Sequence, residues 1–181
     1  MRVFIGIELS PSVKTSLMDW QLQLKPYSIK GNFTTPTNYH LTLQFIGEAT
    51  MEEIDVFKSI VSSIAKSSRS FELALIHVGE FPKKNKSNLW AGPDSRRSLN
   101  DLYDKVHQAF SLHHVAVEKR PFTPHVTLGR NIVLTDAFET IKKEQSWNTI
   151  PIIVDNVTLF ESTRINDQLV YRAIAKHEMT C

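Results

Sequence analysis

One domain of two similar halves, each mixing strands with helices, is the fold predicted for this 181-residue chain. Three observations predict it. The tetrapeptide His40-Leu41-Thr42-Leu43 returns nearly half a chain later as His125-Val126-Thr127-Leu128, so each half carries one copy. Stretches with strand character interchange with stretches whose apolar residues recur at helical spacing. No linker, low-complexity tract or charge block divides the chain, and its length suffices for one core or for two small lobes sharing one.

The elements follow in order. Arg2 to Leu9 alternates and is rich in β-formers, which predicts a strand. Ser10-Pro11 reads as N-cap and first helical position, and Val13, Leu17, Trp20, Leu22 and Leu24 predict the apolar stripe of a helix to about Leu24. Pro26 to Pro36, with Gly31, predicts a loop, and Tyr39 to Ile46 a strand that Gly47 ends. Thr50 with Glu53 is a capping box, opening a helix whose stripe is Ile54, Phe57, Ile60, Val61 and Ile64. Phe71 to Val78 is the next strand, Lys83 to Lys86 a basic loop, and Asn88 to Ala91 a short strand closed by Gly92-Pro93. Leu99, Leu102, Val106 and Phe110 predict a helix from Ser95 to about Leu112. A short segment around Val115 to Val117 and a loop from Glu118 to Pro124 lead into the second motif strand. Asp136 to Gln145 predicts a helix capped by Thr135 or Asp136; Pro151 to Glu161 and Gln168 to Ala175 predict two strands around a polar turn at Asn166-Asp167.

Composition excludes several classes. Apolar residues make up 41% and charged residues 22% of the chain, ordinary for a soluble globular protein, and no apolar run reaches bilayer-spanning length. The N-terminal run is interrupted by Glu8 and lacks a small-residue cleavage site. Cys181 is the sole cysteine, which excludes an internal disulfide or a cysteine-based zinc cage and points to a reducing cytoplasm. A formal charge of +2 is too mild to announce a polybasic nucleic-acid binder. Lys83, Lys84 and Lys86, the pair Arg96-Arg97 and the pair Lys119-Arg120 read singly as solvated loop charges and together as weak support for an anionic ligand. GxGxxG, P-loop and GxSxG patterns are absent.

Chemistry concentrates in the duplicated motif. Successive side chains of a strand point to opposite faces, so His40, Thr42 and Gln44 share one face while Leu41, Leu43 and Phe45 share the other. The same parity pairs His125 with Thr127 against Val126 and Leu128. If the apolar faces go to the core and the strands face each other, two imidazoles and two hydroxyls converge. Imidazole titrates near pH ~6.5, so one His can act as base while the other, kept protonated by an anionic substrate, acts as acid. Such a pair suits in-line displacement at phosphorus against a poor leaving group such as a ribose hydroxyl. Thr42 and Thr127 can donate to the non-bridging oxygens, and no metal is required. His77, His107, His113, His114 and His177 lack the duplicated context, and no acidic or cysteine partner stands at ligand spacing beside His113-His114. Arg130 in a regular strand would point away from His125; a bend at Gly129 is needed to turn its guanidinium toward the phosphate.

With these residues in hand, the chain resembles the two-histidine phosphoesterase superfamily, in particular its RNA 2′,3′-cyclic phosphodiesterase branch, historically called 2′-5′ RNA ligase. The resemblance rests on RVFIGIEL, HLTLQFIGE, the FP and LWAGP segments near Phe81 and Trp90, PFTPHVTLGR and VTLFES. It implies an α+β fold of two pseudo-symmetric lobes, each an antiparallel sheet with helices on the outer face, enclosing a central cleft within one domain spanning residues 1–181. It also implies metal-independent, cofactor-free hydrolysis of an RNA 2′,3′-cyclic phosphate end to a 2′-phosphomonoester. By motif position, His40 would be the general acid and His125 the general base, with Thr42, Thr127 and Arg130 holding the phosphate. Phe122 is a candidate for stacking on a base or for packing within its loop. ESTRINDQLVYR departs from the family pattern in lacking a glycine before Tyr171. Ligation, a cyclic phosphate on a small nucleotide, and an RNA-end binding module are the alternatives. No membrane or obligate protein partner is expected.

Overall fold

The computed structural model describes residues 1–113, 115 and 121–181. The segment expected at Val115 to Val117, the start of the Glu118 to Pro124 loop, the pair Lys119-Arg120 and His114 lie wholly or partly outside the described residues. Among the described residues nine strands form two antiparallel sheets. One has the order β3-β1-β8-β9, from β1 (Arg2–Glu8), β3 (His40–Glu48), β8 (Asn156–Ile165) and β9 (Gln168–Glu178). The other has the order β2-β6-β5-β4-β7, from β2 (Ser28–Phe33), β4 (Phe71–Lys83), β5 (Lys86–Pro93), β6 (Val126–Leu134) and β7 (Ile150–Val154). In each sheet the HxT strand lies next to the strand that precedes its connecting helix: β3 beside β1, and β6 beside β5. The lobes are therefore similar, yet neither is a continuous half of the sequence. β2 from the first half edges the second sheet, and β8 and β9 from the second half complete the first.

Helix α1 (Pro11–Leu24) packs on β6 and β7, and α2 (Met51–Lys66) on β8 and β9. Helix α3 (Arg97–Leu112) lies on β3 and α2, and a short α4 (Phe138–Glu144) precedes β7. Local chemistry accounts for the starts. Ser10 Oγ accepts from the Val13 N–H at 3.4 Å, with Pro11 at the first helical position. The capping box is complete: Thr50 N–H donates to Glu53 Oε2 at 2.7 Å, and Glu53 N–H to Thr50 Oγ1 at 3.3 Å.

Several boundaries differ from the sequence expectation, each for a physical reason. The loop expected at Pro26 to Pro36 contains β2, an exposed edge strand whose polar residues and Gly31, at φ 139°, carry little strand signal. The basic loop at Lys83 to Lys86 is a tight hairpin turn with Lys84 at φ 55°, so β4 and β5 run on to meet there. Pro151 to Glu161 is two strands in different sheets, broken at Asp155. Thr135 and Asp136 bond each other, at 2.7 Å, and α4 starts after Ala137 without a side-chain cap. On α1 the buried positions include Gln21, at 4% exposure, whereas Leu22 is 54% exposed. The turn at Asn166-Asp167 forms as expected, with both residues at positive φ.

One continuous core joins the lobes, running from Ile5 and Leu41 through Trp20, Ile64 and Phe110 to Val126 and Val154. Among the described residues no helix is long and apolar enough to cross a membrane.

Candidate active site

The two HxT segments fold alike. Opposite β3, Gly6 pairs with Thr42 and Ile5 with Gln44, so Leu43 is an extra residue and β3 bulges there. Gly6 permits the close approach, since a Cβ on it would fall 2.7 Å from the Leu41 carbonyl oxygen. Opposite β6, Trp90 pairs with Thr127 and Leu89 with Gly129, which makes Leu128 the extra residue. A bulge inverts the alternation beyond it. Phe45 therefore comes round to the cleft face, where its ring lies 5.8 Å from Phe4, while Gln44 pairs with the core residue Ile5. This corrects the alternation expected for both residues. The bulge at Leu128 brings Arg130 to the face of Thr127, so the required bend lies one residue before Gly129.

Each imidazole is anchored through Nδ1. His40 Nδ1 lies 2.7 Å from the Asn38 carbonyl oxygen, and His125 Nδ1 lies 2.7 Å from the Thr123 carbonyl oxygen. A carbonyl can only accept, so both Nδ1 atoms carry the proton, and Nε2 of each neutral ring is left to accept one. His40 Nε2 lies 2.9 Å from Thr42 Oγ1, whose O–H donates to it. Around His40 stand Phe4 at 4.7 Å, Tyr171 at 4.8 Å and Phe160 at 5.7 Å between ring centroids. Around His125 stand Phe81, edge-on at 5.0 Å, and Trp90 at 6.2 Å. Gly79 makes room for that wall, because a Cβ there would overlap the Trp90 ring.

Burial holds the His40 imidazole down to about 4, with the charges of Arg130, His125 and Lys14 adding to the depression and the Asn38 bond opposing it. His125 is lowered as well, first by burial and then by Arg130, against the Thr123 bond. Both rings are thus neutral at pH 7 in the empty cleft. The cleft has two chambers. One, of about 520 Å³, is lined by His40, Thr127, Arg130, Arg164 and Tyr171. The other, of about 470 Å³, is lined by Thr42, Phe45, Phe81, Tyr103, Phe122 and His125. Each chamber joins the histidine of one sheet to the threonine of the other, so all six residues singled out from the sequence line the cleft. Phe122 stacks face to face on Tyr103 at 4.0 Å. Among the described residues no three His, Cys, Asp or Glu side chains gather as a metal site.

This arrangement has known counterparts. The family model described as the 2′-5′ RNA ligase superfamily matches residues 23–166. The chain belongs to that superfamily. Its relatives include proteins named RNA 2′,3′-cyclic phosphodiesterase from Thermotoga maritima, 25% identical over 96% of this chain and 93% of theirs, and from Bacillus subtilis, 24% identical over 98% and 96%. Among solved structures, Escherichia coli LigT complexed with 3′-AMP superposes with a TM-score of 0.79 at 22% identity, covering 99% of this chain and 98% of LigT. TT0787 of Thermus thermophilus gives 0.78 at 21% identity, with the same coverage. These likenesses show a shared fold.

Two supports of the cleft escape a reading by motif. Asn38, buried, accepts His40 Nδ1–H on its main chain while its side chain donates to the Leu169 carbonyl at 2.7 Å and accepts the Tyr171 N–H at 3.0 Å. Gln21 Nε2 donates to the Leu128 carbonyl at 3.0 Å and to Thr34 O at 2.7 Å, satisfying the backbone at the bulge that turns Arg130 inward. Gln21, four residues past Leu17 on the α1 stripe, carries a positional signal in the sequence; Asn38 carries none.

Proposed function

We propose that this chain hydrolyses the 2′,3′-cyclic phosphate at an RNA end to the 2′-phosphomonoester, with His40 and His125 as the acid–base pair. The observation that carries the reading is the matched anchoring of the two imidazoles, each fixed at Nδ1 by a carbonyl two residues upstream and each facing the threonine of the opposite sheet. The relatives named RNA 2′,3′-cyclic phosphodiesterase support the substrate class. His125 Nε2 takes a proton as water oxygen bonds to phosphorus, the bond from phosphorus to O3′ breaks, and protonated His40 Nε2 delivers its proton to O3′. Thr42, Thr127 and Arg130 donate to the non-bridging oxygens, offsetting their growing charge. Thr42 now donates to His40; once that ring is protonated, its hydroxyl is released toward the phosphate. The substrate's own negative charge counters Arg130 and raises the depressed His40 far enough to hold the proton.

Phe122 presents the ring face not covered by Tyr103 to the terminal base. We assign the whole of residues 1–181 to this one domain, working in the cytoplasm without metal or obligate protein partner. The test is a short RNA with a 2′,3′-cyclic end, incubated with and without EDTA. A 2′-phosphomonoester in both samples is the expected result. A 3′-phosphate, no product, or loss of turnover in chelator refutes the reading in that respect. The superfamily's description favours a second reaction, in which an RNA 5′-hydroxyl replaces water. A 5′-hydroxyl strand added to the same incubation tests it through the appearance of a 2′-5′ junction.

A further inference from the structure

The hairpin that departs from the family pattern is also the one that reaches into the His40 chamber. Phe160 packs against His40, so the alternation along β8 sends Ser162 and Arg164 to the cleft face, and Arg164 lines that chamber. Its place relative to the histidine is fixed by a short chain of bonds. Arg164 pairs across the ladder with Leu169, the Leu169 carbonyl accepts from the Asn38 side chain, and the Asn38 carbonyl accepts His40 Nδ1–H. The step from Tyr171, which packs on His40, to Leu169 is two strand residues, or about 7 Å. Arg164 Nη1 donates to the Asp167 carbonyl at the turn, which uses one of its five donors. No carboxylate lies within ion-pair distance of its guanidinium among the described residues, although Asp167 lines the same rim. The polar residues Asn32, Thr34 and Thr35 line the same chamber. By contrast Arg172, one residue past Tyr171, is turned away and held by Glu161.

We propose that Arg164 seats a second phosphate, the one on the 5′ side of the terminal nucleotide, so that the site selects RNA ends over nucleoside 2′,3′-cyclic phosphates that lack it. The inference deepens the phosphodiesterase reading and rests on it for the placement of the cyclic phosphate between His40 and His125. A planar guanidinium with free forked donors matches a phosphodiester, and among the described residues the aromatic chamber is lined by no comparable cation.

Binding without turnover tests this independently of catalysis. Titration calorimetry at fixed salt compares adenosine 2′-monophosphate with adenosine 2′,5′-bisphosphate. The protein is expected to bind the bisphosphate about tenfold tighter or more. Arg164→Ala is expected to bring that ratio close to unity, Arg164→Lys to keep part of it, and Arg172→Ala to preserve it. Equal affinities in the unaltered protein, an unchanged ratio in Arg164→Ala, a loss as large in Arg172→Ala, or no binding of either nucleotide overturns the seat. Turnover of cyclic-ended RNA is scored separately. An intact ratio without turnover keeps the seat and refutes the phosphodiesterase, and turnover with a ratio of unity does the reverse.

Discussion

The two HxT strands are built on one plan and differ at one position. Both place histidine and threonine on the cleft face, both bulge at the leucine after the threonine, and both thereby bring the third residue past the threonine back into the cleft. In β3 that residue is Phe45, 53% exposed in the aromatic chamber; in β6 it is Arg130, in the chamber of His40. One geometric device thus delivers an apolar face on one side and a cation on the other. The histidines are unequal too: both feel Arg130, but His40 is only 8% exposed and feels His125 and Lys14 as well, whereas His125 sits in the more open position beside Phe81. The duplication supplies paired groups, and the surroundings make them unequal, as the opposite proton transfers proposed for them require.

The largest effect should come from removing either imidazole. His40→Ala and His125→Ala are each expected to lower kcat by about 10²- to 10⁴-fold, the usual worth of a positioned acid or base. A substrate whose 3′-bridging oxygen is replaced by sulfur breaks the symmetry, because a thiolate leaves without a proton. His40→Ala should recover most of its rate with that substrate and His125→Ala should not. The opposite pattern would assign His125 as the acid, in keeping with the deeper depression of His40.

Stability gives a second way to tell the strands apart. His40 is held at about 4 in the fold against about 6.5 unfolded, so between these values the unfolded chain binds a proton that the folded one refuses. Stability from this group is complete above pH ~6.5 and is lost as pH falls toward ~4, a change on the order of 3 kcal/mol. His125 acts with the same sign. Urea unfolding of His40→Gln between these pH values should show a shallower slope than the unaltered protein. An unchanged slope would mean that the His40 ring is solvated in the fold.

Threonine replacements should cost less. On the proposed mechanism Thr42→Val and Thr127→Val each remove one donor to the phosphate, worth about 1.5–3 kcal/mol to a charged group, or roughly tenfold to a hundredfold in kcat/KM. Thr42→Val should in addition alter the pH profile, because Thr42 alone of the pair is bonded to its own histidine in the empty cleft. Identical pH profiles for the two variants would erase that distinction.

Much of this was legible in the sequence because strand alternation and capping are local rules. The motif strands, the capped starts of α1 and α2, the stripes of α2 and α3 and the Asn166-Asp167 turn all follow from residues within a few positions of one another. The candidacy of His40 and His125 as a pair is readable only through repetition. What alternation could not give is a bulge, since an extra residue is defined by the partner strand. Alternation alone therefore puts Phe45 on the core face and Gln44 on the face of His40 and Thr42. The exchange of strands between sheets is likewise invisible locally, because an edge strand such as β2 is mostly polar and exposed. Gln21 and Asn38 bond to backbone over 100 residues away, and nothing nearby in the chain marks that partner.

The smallest expected effect separates the two aromatic candidates for the base. Phe122 already has one face covered by Tyr103, so Phe122→Ala removes a packed ring pair as well as a stacking surface, and both thermal stability and nucleotide affinity should fall. Phe45 is exposed, and among the described residues only the Phe4 ring packs against it, so Phe45→Ala should leave stability nearly unchanged. If the base stacks on Phe45, that variant should lose affinity for adenosine 2′-monophosphate by about 1 kcal/mol, the lower end for one base on one ring, while its affinity for ribose 2-phosphate stays the same. Equal losses for the two ligands would mean that Phe45 shapes the phosphate pocket through Thr42. No loss for either would leave Phe122 as the stacking ring, and the residue opposite Arg130 in the pseudo-symmetry would then serve the cleft only by excluding water.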